Sequence, residues 1–367
     1  MSEVSNSNRE VVGGVPLVSV IGTPRTMGEH LGTRLKSRLQ VLTGYLSDQL
    51  CTLARPAGHR LTPEKLREVV RPALPMLQRH EPSLWMELEA MGHASELPIE
   101  DLLLVQGYGD LLSYLGCQVP PQPSTYICID STHTQDGTPL LALVWYLDPA
   151  LFPYLTLMRR IPTHGPATLS LTLAGLGPVA GLSEAGVAVA ANEFRIKDGT
   201  SGLFTGHVLA SMLAVPGLED ALRYAQAGPR HGGAAIHGLA ASGDRFTVEV
   251  SGQIMARLND PLLNAPRVHT NHPLDERVMP AVDQIDPTSK LRLEQVASQV
   301  VALGGITPAQ IAGWFSLGTS SPHPPSRVGN DTDRVPISSV LVVLDPGSKE
   351  LHLKRSGMPG PLETIKL

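Results

Sequence analysis

Gly116-Cys117 is the pair in this chain whose type and placing best suit covalent chemistry. A cysteine set just ahead of a strand-rich region, behind a long helical stretch, is where a chain can expose a nucleophile and a new amino terminus together. The same residue also reads as an unreactive loop thiol. Cys128, between Ile127 and Ile129 in strand context, reads as a buried and inert one. Ser124 offers a hydroxyl as a replacement nucleophile, but no base stands beside it in sequence. His269 and His272 are three apart without a cysteine or carboxylate at ligand spacing, so they read as structural, and neither a metal nor a cofactor is expected. Asn192, just after an apolar strand, reads equally as a site residue or as a loop anchor. The stretch Gly175–Gly181 is one residue too long for a dinucleotide fingerprint, and Gly181–Gly186 misses the nucleophile-elbow spacing by one.

These residues sit in a chain of 367 residues with 42% hydrophobic content, enough to bury a sizeable core. Its formal charge of -5 comes from interspersed acids and bases, which leaves no basic stripe for nucleic acid. A small-molecule substrate is the expected partner. The 3 cysteines are too few for a disulfide scaffold, and the polar amino terminus lacks the apolar run of a signal peptide. No stretch has the length of a bilayer span. A cytoplasmic protein without membrane or nucleic-acid partners is expected.

The elements that must position the site follow from pattern. Residues 1–14 read as a disordered tail. Residues 15–116 read as a strand, Val15–Ile21, followed by helices: Leu31, Leu35, Leu39, Leu42 and Leu46 keep a helical spacing, Thr62-Pro63 caps a second run, and Pro72, Pro75 and Pro98 interrupt it. From residue 117 to 367 short strands dominate. Ser124–Asp130 with Leu140–Leu147, Ala167–Leu173, Val187–Ala191, Ala234–Ala241 with Arg245–Val250, and Val340–Leu344 with Glu350–Lys354 read as strands. Leu203–Ala225, broken at Pro216-Gly217, Leu291–Leu303 and Pro308–Trp314 read as helices. Strands, helices and strands again predict an α+β fold of two sheets with helical layers.

The order of several words resembles one family. The glycine-spaced Gly22–Gly32, the helix start Leu97–Leu103, Gly116-Cys117, Leu182–Val189 with Asn192, Phe246–Val250, His269-Thr270-Asn271-His272 and Ser326-Arg327 follow one another as in the isopenicillin N acyltransferase-like branch of the amino-terminal-nucleophile hydrolases. The resemblance runs from about Gly22 to Gly360, and His-Thr-Asn-His is its most specific word. It implies a four-layer αββα sandwich, self-cleavage before Cys117, and acyl transfer or amide hydrolysis on a small acylated amine. An acyl thioester such as acyl-coenzyme A is one donor it allows, in a specialised biosynthetic pathway. By position, Cys117 becomes the nucleophile, its freed α-amine (ordinary pKa near ~8) the base, Asn271 an oxyanion-hole donor and Arg327 a basic residue lining the site. Substrate contacts fall to Asn192, Ser124, His269 and Trp145.

The sequence departs from that pattern at two places. Gln118–Pro123 separates Cys117 from the strand, so that counting back from Ser124-Thr125-Tyr126 puts Pro123 in the nucleophile slot. Relatives end the second strand in Asn-Trp-Asp, where this chain has Val144-Trp145-Tyr146 and its nearest acid is Asp148; an acid in the preceding helix is represented by Asp110. An alternative function follows: a relative without the cysteine nucleophile that binds a ligand, or catalyses a condensation or rearrangement through Tyr146, Asp148, Asn271 and Arg327.

Overall fold

A computed structural model describes residues 10–259, 265–286, 288–301, 304–315, 338–356 and 360–367. Arg327 therefore lies outside the described residues. The amino-terminal part runs β1 (Val11–Val12), β2 (Val15–Gly22), α1 (Pro24–Leu53), α2 (Pro63–Val70), α3 (Leu74–His80), α4 (Pro82–Ser95), α5 (Ile99–Gln106) and α6 (Tyr108–Tyr114). Then come β3 (Ser124–Ile129), β4 (Leu140–Leu147), β5 (Leu155–Pro162), β6 (Thr168–Leu173), β7 (Leu176–Ser183), β8 (Val187–Ile196), α7 (Thr205–Leu213) and α8 (Leu218–Ala225). The last part is β9 (Gly233–Ala240), β10 (Arg245–Val250), β11 (Met255–Arg257), β12 (Arg267–His269), β13 (Val282–Gln284), α9 (Ser289–Val301), α10 (Pro308–Trp314), β14 (Ser338–Asp345), β15 (Glu350–Arg355) and β16 (Glu363–Lys366).

The strands make two sheets. One has the order β1-β2-β5-β6-β7-β8-β9-β10-β11, with β13 also on β8; the other has the order β12-β3-β4-β14-β15-β16. β1 pairs with β2 across Gly13-Gly14, which extends the folded chain amino-terminal to residue 15, and β2 pairs parallel with β5. Strand alternation then sorts the side chains into layers. Tyr126 and Cys128 of β3, with Leu141 and Leu143 of β4, face inward onto Ala188 and Ala190 of β8. Ile127, Ile129, Ala142 and Val144 face outward, onto Val296 and Val300 of α9 and Ile311 of α10. On the far side, Val187, Val189, Ile236 and Val248 pack under Val208, Leu209 and Met212 of α7 and Leu222 of α8. The result is an α+β fold in four layers, αββα.

The amino-terminal helices join the same core. Leu31, Leu35, Leu39, Leu42 and Leu46, the stripe read from sequence, are all buried. Thr23 caps α1 by accepting from Thr26 N, with Pro24 at the first position. α1 lies so close to α4 that a Cβ on Gly28 would stand 2.1 Å from the Glu87 carbonyl oxygen, and one on Gly32 would stand 2.4 Å from that of Met91. Gly28→Ala is therefore expected to lower stability by about 1–3 kcal/mol, the cost of overpacking, in chemical denaturation. An unchanged midpoint would contradict this close contact.

β5, β7, β11, β13 and β16 are not legible as strands in the sequence. β7 carries Gly177-Pro178, normally a breaker; its pairing with β6 shifts register near Thr172, and the irregularity tolerates the proline.

Candidate active site

Ser124 opens β3 and points to the inner face, the side on which Tyr126 and Cys128 follow it. It lines a cavity of about 100 Å³ together with Gln122, Trp145, Tyr108, Glu193 and Arg195. Trp145 is its partner across the β3–β4 ladder and so shares its face.

Two carboxamides converge on the hydroxyl. Asn192 Nδ2 donates to Ser124 Oγ at 2.7 Å and Asn271 Nδ2 at 3.1 Å. Each amide is oriented by a partner that fixes which end faces Ser124. Arg292, which can only donate, gives an N–H to Asn271 Oδ1 at 2.8 Å, and the Ser124 main-chain N–H donates to the same oxygen at 2.6 Å. Asn192 Oδ1 lies 2.9 Å from His237 Nε2, and because that oxygen only accepts, the imidazole carries its proton on Nε2. His237 Nδ1 is then the acceptor for Thr247 Oγ1 at 3.1 Å. Burial holds His237 well below its ordinary pKa, so it is neutral, and it stacks on Tyr126 with ring centroids 3.6 Å apart.

The expected residues separate into those brought to Ser124 and those that are not. Asn192, Asn271 and Trp145 join it. His269, on β12 opposite Tyr126, is not on the cavity wall; its Nε2 is 2.9 Å from Glu249 Oε1, a carboxylate that also accepts from the Leu274 and Asp275 N–H groups. His272 Nδ1 bonds Ser289 Oγ at 2.7 Å, apart from His269's partner, and among the described residues no three His, Cys, Asp or Glu could hold a metal ion.

Cys117 does not line the cavity. It is packed into the core, its N–H donates to Leu112 O at 2.9 Å, and burial pushes its thiol up to about 11. The Gln118–Pro123 segment connects it to Ser124, with the Val119 carbonyl held by Arg195 at 3.2 Å and Gln122 on the cavity wall. Tyr146 packs toward α9 and α10, on the opposite face of β4 from Trp145. Its main chain still matters, because its N–H donates to the Pro123 carbonyl at 2.9 Å. Asp148 lies off the cavity: it caps the turn Pro149–Tyr154 by accepting from Ala150 N at 2.9 Å.

Several participants are not evident from sequence: Arg292, His237, Glu193 and Arg195. Arg292 is buried, paired with Asp286 and reaching the Ser124 carbonyl at 3.4 Å, whereas in sequence it is one charge on an amphipathic helix. The available signal is polarity within apolar strands, as in Gly-Ala-Ala-Ile-His237 and Asn192-Glu193-Phe194-Arg195.

Asp110, also on the cavity wall, accepts from Thr205 N and Thr205 Oγ1, each at 2.9 Å. Burial, with the nearby Glu193 charge, raises its pKa from 3.8 to about 7. The folded chain thus holds this proton more tightly than the unfolded chain, so the contribution is present below pH ~4 and is lost as pH rises to about 7. Wild-type stability should fall across that window by up to about 1.4 kcal/mol per pH unit relative to Asp110→Asn. Parallel pH–stability curves for the two proteins would contradict it.

No family model matches the chain, and no curated protein matches it. It is similar to two solved structures of a conjugated bile acid hydrolase from Clostridium perfringens. An arginine-to-leucine variant of that hydrolase shows 11% identity over 66% of this chain and 92% of that one, with a TM-score of 0.45. A cysteine-to-alanine mutant of it shows 12% identity over 66% and 92%, with a TM-score of 0.37. Penicillin V acylase from Agrobacterium tumefaciens shows 12% identity over 65% of this chain and 84% of that one, with a TM-score of 0.40. All three are distant likenesses.

Proposed function

We propose that this chain transfers the acyl group of a small acylated amine, to water or to a second acceptor, with Ser124 rather than Cys117 as the attacking group. One observation carries the reading: a serine hydroxyl at the head of β3, on a cavity wall, takes hydrogen bonds from two oriented carboxamides at 2.7 and 3.1 Å. Donors fixed around a hydroxyl stabilise the charge that grows on it as it attacks a carbonyl carbon. Asn271 Nδ2, which also donates to the Gln122 and Glu193 carbonyls at 3.1 Å, is the donor this reading assigns to the carbonyl oxygen of the acyl group.

The base is the nitrogen of Ser124 itself, once freed. In the intact chain it is an amide N–H, which cannot take a proton. Ser124 Oγ adds to the Pro123 carbonyl carbon, whose oxygen the Tyr146 N–H polarises; the C–N bond breaks, and the nitrogen takes the hydroxyl proton. Water then cleaves the ester, leaving a Pro123 carboxylate and a free α-amine with an ordinary pKa near ~8. In turnover that amine accepts the Ser124 proton and passes it to the substrate nitrogen, which leaves as an amine as the serine ester forms; water or another acceptor, giving its proton to the α-amine and thence to Ser124 Oγ, then releases the acyl group. A thioester donor and a biosynthetic setting are compatible with this chemistry.

Incubation with a p-nitrophenyl ester, followed by digestion and mass mapping, tests the assignment. An acyl adduct on the peptide that carries Ser124 is expected. An adduct on Cys117, or none while amides turn over, would overturn it.

Ligand binding without covalent chemistry is the second reading, and one observation favours it. Among the described residues the partners of Ser124 Oγ are carboxamides, and no base touches it in the uncut chain. On that reading Ser124→Ala keeps ligand affinity and the Pro123–Ser124 bond stays intact.

A further inference from the structure

A second cavity, of about 220 Å³, lies between the amino-terminal helices, β5 to β7 and α7. Met27 of α1, Leu84 of α4, and Ala210 and Leu213 of α7 give it an apolar lining. Its buried charges compensate each other: Glu87 and Arg160 pair at 3.0 Å. Glu81 is held by Ser211, and burial raises its carboxyl pKa, so it adds less charge. Hydrocarbon suits such a chamber better than an ionic group does.

This cavity shares three wall residues, Gln106, Gly177 and Pro178, with the cavity that holds Ser124. Gly177 has φ +48 and a Cβ there would meet Gln106 Cγ at 3.4 Å, while one on Gly206 would meet Gly177 Cα at 3.2 Å. The start of α7 therefore packs tightly on β7 at Gly206. The movable part is the Gln106 side chain, unbranched and held by one bond, its Oε1 2.6 Å from His207 Nε2. Burial brings His207 down to about 3, so the bond joins two neutral groups and opens more easily than an ion pair.

We propose that Gln106 is a gate, and that the second cavity takes the far end of an extended, largely apolar acyl chain whose carbonyl carbon lies at Ser124. The proposal rests on the reading of Ser124 as the reacting group and names its substrate class: amides of medium or long straight-chain acids in preference to compact ones. The chamber at Ser124 is the smaller of the two, about 100 Å³, and a long chain must leave it. Gln106 separates it from a volume of about 220 Å³ whose wall includes Met27, Leu84, Ala210 and Leu213.

The test uses the full chain with Ser124→Ala, so that binding is read without turnover, and acetyl, octanoyl and decanoyl anilides as probes in calorimetry. Affinity should climb by up to about fourfold for each methylene buried. Ala210→Leu, which narrows the second cavity, should lower the octanoyl-to-acetyl affinity ratio by about tenfold, and Gln106→Ala should raise it. A ratio near one, or a ratio that neither substitution moves in proteins of unchanged circular dichroism, would overturn the gate. The two readings fail differently. A chain-length ratio that persists while Ser124-intact protein cleaves no amide supports the cavity and removes the reaction; cleavage of every amide at one rate, with flat affinities, removes the cavity and keeps the reaction.

Discussion

Ser124→Ala is expected to reduce amide turnover by about 10⁴-fold or more, as loss of an attacking group does, while Cys117→Ala leaves turnover at the wild-type level. The contrast follows from where the two side chains stand. The Cys117 thiol is buried in the core and pushed up to about 11, so it is almost wholly protonated at neutral pH. The Ser124 hydroxyl lies on a cavity wall with its oxygen already solvated by Asn192 and Asn271. Steady-state assays on an acyl anilide panel read the effect. Ser124→Cys serves as the control, because it keeps a nucleophile in place and should retain part of the activity lost in Ser124→Ala. Full activity in Ser124→Ala, or loss in Cys117→Ala, would reverse the assignment.

The second large effect concerns Arg292. It is buried beside Asp286, with its Nη1 at 2.5 Å from Asp286 Oδ2, and its Nη2 holds Asn271 Oδ1. Arg292→Met leaves Asp286 charged and unpaired in the interior, for an expected loss of about 3–5 kcal/mol in chemical denaturation. The same change removes one of the two donors to Asn271 Oδ1, leaving the Ser124 N–H, and so weakens the orientation of that amide and slows cleavage. Adding Asp286→Asn should recover much of the stability, since the orphaned charge is gone, but not the rate, since the Arg292 hydrogen bond to Asn271 is still missing. Recovery of both by the double variant would show that Arg292 acts on folding alone.

The fold is legible in the sequence wherever one physical signal dominates. The leucine stripe of α1 and the proline-capped helices follow from spacing and capping, and β3, β4, β9, β10, β14 and β15 follow from apolar alternation bounded by turns. β5 is hidden because Arg159-Arg160 interrupts its apolar run, although Arg160 pairs with Glu87 in the interior. β7 is hidden because Gly177-Pro178 reads as a break. At the site, Asn271 comes from a distinctive word and Ser124 from its place at the head of a strand. Arg292 and His237 cannot come from local pattern: each acts through a partner far along the chain, Asn271 for the one and Asn192 for the other. Charge and imidazole that look solvated or structural in sequence acquire a role only when two sheets close over them. Cys117 shows the converse: its residue type invites chemistry, whereas its surroundings are packed core that raises its thiol pKa.

The most direct measurement is the amino-terminal sequence of any fragment that forms when purified protein is incubated, followed alongside its intact mass. The account predicts a carboxy-terminal fragment that begins Ser124-Thr125-Tyr126-Ile127 and is absent from Ser124→Ala. A fragment that begins at Cys117, or a chain that remains whole while it cleaves acyl amides, would contradict it.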